Sequence, residues 1–273
     1  MEQSSGKKTK TKLVHLSLQS LAFFLITYYV SYFISGLSVL YIAYDFDIPA
    51  TLYKNSVQYA VDETSKVWTS DATTSILMAT PVSSFVVSIV SIFIFMVIRR
   101  KGALFLYACI WLFLQAFNMS FGLISENIIT QTGLVRVANQ MGIKTAMMMI
   151  TIGISVFLMI KSGVFISKLF YAHCDTELLS RRSGKTATSL AFFFVPWFAG
   201  SLTILLLAGE DLDIKDFILS GFMMVLLLPA LFVRKPENHQ RFPVTFTSTL
   251  PLMILASIAT LISYYLLHKG ISF

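Results

Sequence analysis

The sequence predicts an all-α fold: a polytopic integral membrane protein with about seven transmembrane helices and a small β-hairpin in its first external loop. Of the 273 residues, 56% are hydrophobic and only 13% are charged, and the mean hydropathy is +0.74. This composition is too apolar for a water-soluble globular protein. Long uncharged stretches alternate with short charged segments, and a helix needs about 20 mostly apolar residues to cross a bilayer.

Seven stretches of 16 to 32 residues lack Asp, Glu, Lys and Arg, and each is predicted to form one span. In chain order they are 13–44, 72–98, 102–125, 145–160, 186–209, 217–233 and 242–268. Lys161 ends the fourth stretch, but its long side chain can extend to the membrane surface while the apolar helix continues through 162–167. The alternative is six spans with 145–169 as an interfacial helix, which the lack of a broad polar face disfavours.

The basic residues predict the orientation. A cytoplasmic N-terminus places 14 of the 21 Lys and Arg residues on the cytoplasmic side, as the positive-inside rule requires, and puts the C-terminus outside. The net charge of +7 then reflects contact with anionic lipid headgroups, not with nucleic acid. The Asn-x-Ser match at Asn118 lies within a span, which is compatible with a bacterial cytoplasmic (inner) membrane. Cys174 falls in a cytoplasmic loop, so an impermeant maleimide is expected to label it only in opened membranes.

The chain is predicted to comprise a disordered cytoplasmic tail at residues 1–12 and a single membrane domain at residues 13–273. Within the first external segment, Val57, Tyr59 and Val61 alternate with other residues before a polar turn at 62–66, after which Val67 and Thr69 follow. This pattern predicts either a hairpin or an irregular loop. The segment 126–144 is too apolar for a solvated connection, so it is interfacial or re-entrant.

The polar side chains inside the spans are hydroxyls and carboxamides, without ionisable groups at depth. No catalytic residue, metal ligand or cofactor is therefore predicted. Gln115 and Asn118 share one face of the third span with Trp111 and Gly122. Together with serines at helical spacing on the first two spans they form a candidate polar binding face: Gln115, Asn118, Ser31, Ser35, Ser84 and Ser88. The alternative is that these side chains only join helices through hydrogen bonds.

Four segments in the first half of the chain follow a recognisable order: 31–40, 57–69, Thr80-Pro81-Val82-Ser83-Ser84 and Phe117-Asn118. This layout resembles the site-2 protease (M50-like) intramembrane peptidases, which have a span with His-Glu-x-x-His, a membrane-associated hairpin, a span opening with Pro and small polar residues, and a later span with Asn. The segment 34–38 has neither His nor Glu, and no Asp follows the third span at a ligand position. Zinc chemistry is therefore not expected. The resemblance implies a non-catalytic relative that binds or holds other membrane segments.

The sequence thus predicts a non-enzymatic membrane protein that acts as a scaffold, assembly factor or membrane-segment binder. Its expected partners are the lipid bilayer and other membrane proteins, with no nucleic acid and no cofactor. The alternative is a small permease for a neutral or amphipathic solute, which would use the candidate polar binding face. The lack of an inverted repeat counts mildly against the common transporter folds.

Overall fold

The computed structural model describes residues 2–62, 64–98, 102–179, 184–209, 212–234 and 248–272. Within them, seven helical segments are long and apolar enough to cross a membrane, which confirms the predicted polytopic all-α fold. These spans are Thr9–Asp45, Ser70–Ile98, Ala103–Thr130, Thr145–His173, Gly184–Ala208, Ile214–Phe232 and Thr249–Lys269. The fourth is one continuous helix that includes Lys161, so it has the length of a span.

The spans and the segments between them contain the following helices. They are α1 (Glu2–Asp45), α2 (Ser70–Ile98), α3 (Ala103–Phe117), α4 (Leu123–Thr130), α5 (Leu134–Gln140), α6 (Thr145–His173), α7 (Thr176–Leu179), α8 (Gly184–Ser189), α9 (Val195–Ala208), α10 (Ile214–Leu227), α11 (Pro229–Phe232) and α12 (Thr249–Lys269). Two π-helical segments, Asn118–Gly122 and Leu190–Phe194, join α3 to α4 and α8 to α9. Such wide turns inside α-helices are frequent at functional sites.

α1 is a single helix of 44 residues that contains no proline, the residue that most strongly breaks a helix. It begins at Glu2, so helix occupies most of the segment 1–12, where the sequence predicts a disordered tail. The Nζ atom of Lys12 lies 2.9 Å from Oδ2 of Asp175 and 2.6 Å from Oε2 of Glu177. These ion pairs attach the beginning of α1 to the start of α7.

A three-stranded antiparallel sheet follows α1. β1 (Ala50–Leu52) lies between β2 (Val57–Tyr59) and β3 (Ile271–Ser272). The predicted hairpin is therefore present, but the predicted pairing of its strands was wrong. β2 pairs with the preceding residues 50–52 and not with 67 and 69, because a tight turn at 53–56, closed by the 2.8 Å hydrogen bond from Tyr53 N to Ser56 O, sets the register. Alternation alone shows which residues form a strand and not which strand is its partner.

Contacts between distant segments divide the bundle into two ends, which we call the sheet side and the N-terminal side. On the sheet side, Asn55 contacts Asp216, Lys54 contacts Ala208, and Arg136 lies over the Trp68 ring. On the N-terminal side, Lys12 contacts Asp175, His15 contacts Thr249, and Lys185 contacts the Leu231 carbonyl. Successive spans therefore run in opposite directions, and the two ends of the chain lie on opposite sides.

The segment 126–144 lies on the sheet side. Its first residues complete α4, and α5 follows after a turn that Gly133 makes with φ 43°. Val135 on α5 forms a small apolar cluster with Ile128 and Met148. The part of this segment after α4 therefore covers the sheet-side ends of the neighbouring helices as a short helix.

Candidate binding pocket

The third span, formed by α3, the π-helical segment and α4, places three polar side chains against neighbouring helices. Trp111 Nε1 donates to Ser20 Oγ at 2.6 Å, and Gln115 Nε2 lies 3.5 Å from the Phe24 carbonyl oxygen, both on α1. Asn118 Nδ2 donates to the Leu219 carbonyl oxygen on α10 at 3.0 Å. The predicted carboxamide face therefore points at α1 and α10 and not at lipid.

Asn118 is the least satisfied member of this face. Its side chain is buried, with 5% exposed, and its Oδ1 atom has no hydrogen-bond partner among the described residues. Oδ1 lies beside Gly122, where any larger residue would place a Cβ against it. The π-helical segment and Gly122 thus make room for the Asn118 side-chain carbonyl oxygen, which accepts no hydrogen bond from the described residues. A buried acceptor without a hydrogen bond lowers the stability of a fold by about 1–3 kcal/mol.

Gln115 and Asn118 line a pocket between α1, α3, α9 and α10. Its empty volume is about 560 Å³, which includes space open to solvent. That is room for a few waters or one small solute. The polar side chains that line it are Tyr28, Asn55, Gln115, Asn118, Ser201, Asp216 and Ser220.

The sheet-side part of the pocket contains a carboxylate. Asp216 is the N3 residue of α10 and forms a capping box, in which its Oδ2 accepts from the Asp213 backbone N at 3.0 Å. The same Oδ2 lies 3.3 Å from Asn55 Nδ2, in the turn between β1 and β2. The capping box fixes the carboxylate at the helix start, and the turn between β1 and β2 brings the Asn55 carboxamide to it.

The sequence predicts Glu126 on the external side, beyond the end of the third span, and this expectation was wrong. In the structure Glu126 lies within the third span and is 2% exposed. Its Oε1 accepts from Thr130 Oγ1 at 2.9 Å and its Oε2 from Asn127 Nδ2 at 2.7 Å. These local donors satisfy the carboxylate, so the helix can continue past the last uncharged residue. Glu126 stands one turn beyond Gly122, at the spacing of the carboxamide face, and that spacing was the signal available in the sequence.

Asp216 was missed for a related reason. It borders the charge-free stretch 217–233, so the sequence assigned it to an external loop. In the structure α10 begins at Ile214, and Asp216 is half-buried in the pocket wall. A charged residue that ends an apolar stretch can thus still face the interior of the bundle.

Aromatic rings close the pocket towards the N-terminal side. The Phe24 ring stands edge-on to Trp111, with centroids 5.1 Å apart, and Phe192 stacks on Phe170 at 4.1 Å. Ser20 Oγ donates to the Phe192 carbonyl oxygen at 2.5 Å, which ties α1 to the second π-helical segment. The pocket therefore extends towards the sheet side, and packed aromatic rings close it on the N-terminal side, at Phe24 and beyond.

The four serines of the candidate polar binding face are all buried, but they do not line this pocket. Ser35 and Ser88 donate to backbone carbonyls of their own helices at 3.0 and 2.7 Å. Ser31 and Ser84 have buried hydroxyls without a hydrogen-bond partner among the described residues. The structure thus brings Gln115 and Asn118 together with Asp216 and Asn55, and it leaves the serines in the contacts of α1 and α2.

Among the described residues, no group of three or more His, Cys, Asp or Glu side chains is arranged to hold a metal ion. No protein-family model matches the chain, and no curated protein or solved structure is significantly similar to it.

Proposed function

We propose that this protein binds a small polar solute in the pocket between α1, α3, α9 and α10 and acts as a small permease. The observation that carries the proposal is the buried Asn118 Oδ1: its residue lines a pocket with room for a solute, and the atom has no hydrogen-bond partner in the part of the chain that the structure describes. Ligand sites in membrane bundles are built in this way, from a few polar groups in an otherwise apolar cavity. No enzymatic activity and no cofactor are part of the proposal.

A permease must also open on its second side. The rings of Phe24, Trp111 and Phe192 stand where that path would have to form, and the second π-helical segment carries Phe192. Pro196, the second residue of α9, and Pro229, the first residue of α11, weaken the local helical hydrogen bonding. At these positions α9 and α10 can bend, which would close the pocket on the sheet side and open it on the N-terminal side.

The proposed setting is a bacterial cytoplasmic membrane, with the N-terminus in the cytoplasm and the sheet side outside. The excess of Lys and Arg on the N-terminal side supports this orientation. In it, the pocket takes up solute from the outside.

The test uses the purified protein and four solutes of similar size: 1-propanol, acetamide, propylammonium and propionate. At least one is expected to raise the unfolding temperature, because a ligand that binds only the folded state stabilises it. Asn118→Leu should abolish that rise, whereas Asn139→Leu, at an exposed carboxamide on α5, should keep it. The stabilising solute should also enter proteoliposomes faster than protein-free liposomes. If none of the four solutes stabilises the protein, the proposal is wrong.

The expected role as a membrane-segment binder is a second candidate, and a groove between α1 and α2 favours it. Ser75, Ala79 and Ser83, at four-residue intervals on α2, line the groove opposite Leu37 and Tyr41 on α1. Small residues at this spacing let another transmembrane helix approach closely. A photoreactive residue at Leu37 should then cross-link to a membrane protein in cells, whereas one at Leu261, exposed on α12, should not.

A further inference from the structure

The pocket has a negative charge that no ion pair between described residues neutralises. Of the described residues that line it, only Asp216 is charged. The nearby lysines make other contacts: Lys215 Nζ lies 3.3 Å from Asp213 Oδ2, and Lys54 Nζ lies 3.4 Å from the Ala208 carbonyl oxygen. Among the described residues, both hydrogen bonds of the Asp216 side chain go to Oδ2. Its Oδ1 atom is left for a donor from the pocket.

The donors and acceptors of the wall are also unequally used. The Nδ2 groups of Asn118 and Asn55 and the Nε2 group of Gln115 all face protein acceptors. Among the described residues, Asn118 Oδ1 is a buried acceptor without a partner, and Asp216 Oδ1 accepts no hydrogen bond. The hydroxyls of Tyr28, Ser201 and Ser220 can donate or accept. The Asp216 carboxylate is therefore the group that favours a solute with N–H donors and repels an acid.

Two aromatic side chains complete the wall. Phe24 and Tyr28 stand one turn apart on α1, and both line the pocket. Gly200 on α9 lies against the Phe24 ring, and this close approach holds the ring in place. The faces of such rings attract cations, most strongly where water is excluded.

From these three features we propose that the solute is a small primary ammonium cation. Its charge is neutralised by Asp216, one N–H group donates to Asn118 Oδ1, and its alkyl part packs against Phe24 and Tyr28. This inference rests on the proposed function and narrows it to one class of solute. The small space in the pocket limits the cation to a few non-hydrogen atoms.

The experiment compares three solutes of the same length, propylammonium chloride, 1-propanol and sodium propionate, at equal ionic strength set with NaCl. Propylammonium is expected to bind at least about tenfold more tightly than 1-propanol, since a charge-assisted hydrogen bond is about twice as strong as a neutral one. Propionate should give no stabilisation. Dissociation constants are measured from the rise in unfolding temperature with solute concentration.

The variant Asp216→Asn should bind propylammonium at least about tenfold more weakly and should keep any weaker binding of 1-propanol. Asn preserves the size and the acceptor oxygen that the capping box needs, so the helix start is retained. Asp62→Asn, at an exposed sheet-side position, is the matched control and should bind propylammonium as the unmodified protein does.

The outcomes separate the two proposals. Equal or tighter binding of 1-propanol by the unmodified protein would overturn the ammonium inference and leave the solute-binding function standing. A propylammonium preference that survives in Asp216→Asn would also overturn it. Absence of binding by all three solutes and by acetamide would overturn the proposed function itself. The solute comparison uses the unmodified protein, so it remains decisive even if Asp216→Asn fails to fold.

Discussion

At Asn118, the two ends of one carboxamide have different roles. The Nδ2 atom binds a backbone carbonyl on α10 and so joins two spans, as polar side chains commonly do inside membranes. The Oδ1 atom is left in the pocket wall beside Gly122. Helix packing therefore accounts for the Nδ2 atom, and the ligand binding that we propose uses the Oδ1 atom of the same side chain.

The role of Gly122 can be tested by Gly122→Ala. The added methyl group would overlap Asn118 Oδ1 and would come within 3.3 Å of Leu219 Cδ1. Overpacking of this kind costs about 1–3 kcal/mol, so the unfolding temperature should fall and stabilisation by the solute should be lost. Gly153→Ala on α6, where nothing lies within 4 Å of the new Cβ, should change neither. A Gly122→Ala protein with unchanged stability and solute response would show that Oδ1 does not depend on this space.

At the scale of elements, the sheet is the structure that fixes the sheet-side ends of the spans. β1 lies between β2 and β3, so it connects the α1–α2 segment to the strand that follows α12. Leu52 in β1 is fully buried and rests on α1 at Gly36. A residue with a Cβ atom at position 36 would place that atom only 2.6 Å from Leu52 Cδ2, so the close contact requires glycine. The turn between β1 and β2 then places Asn55 at the Asp216 carboxylate.

Truncation of Leu52 should therefore loosen the sheet and disturb the pocket. Leu52→Ala is expected to cost about 2–4 kcal/mol through the cavity that it leaves. Solute affinity should also fall, because Asn55 loses its support. Gln58→Ala, at an exposed position in β2, removes a side chain of similar length and should cost less than about 0.5 kcal/mol. Chemical denaturation in detergent measures both, and equal effects of the two changes would contradict the role assigned to Leu52.

At the scale of the whole molecule, burial of the natural cysteines corrects one expectation. Cys174 follows α6 on the N-terminal side, but it is 1% exposed, and Cys109 is also buried. The expected labelling of Cys174 in opened membranes is therefore replaced by slow reaction from either side. Because both natural thiols react slowly, a maleimide should label mainly the cysteines that are introduced elsewhere.

The slow reaction of the natural thiols allows a direct test of the proposed orientation. Ser56→Cys lies at an exposed position of the sheet side, and Lys10→Cys lies at an exposed position near the beginning of α1. An impermeant maleimide should label Ser56→Cys in intact cells and Lys10→Cys only after the membrane is opened. The reverse labelling pattern would show that the sheet side is cytoplasmic and would contradict the proposed orientation. As a control, the unmodified protein should stay unlabelled in both conditions.

The sequence by itself determined the number of spans and their order. Bilayer thickness sets the length of each span separately, so each of the seven apolar stretches could be recognised without knowledge of its neighbours. Helical periodicity likewise placed Gln115 and Asn118 on one face of the third span. Both properties are local, because they depend on residues within a few turns of one another.

Only the tertiary structure decided what that face meets. Asn118 and Leu219 are 101 positions apart, and Asn55 and Asp216 are 161 apart; no local pattern encodes such contacts. The same holds for the pairing of β1 with β3. These features depend on how seven apolar helices pack side by side, and hydropathy cannot distinguish a surface that faces lipid from one that faces another helix, since both are equally apolar.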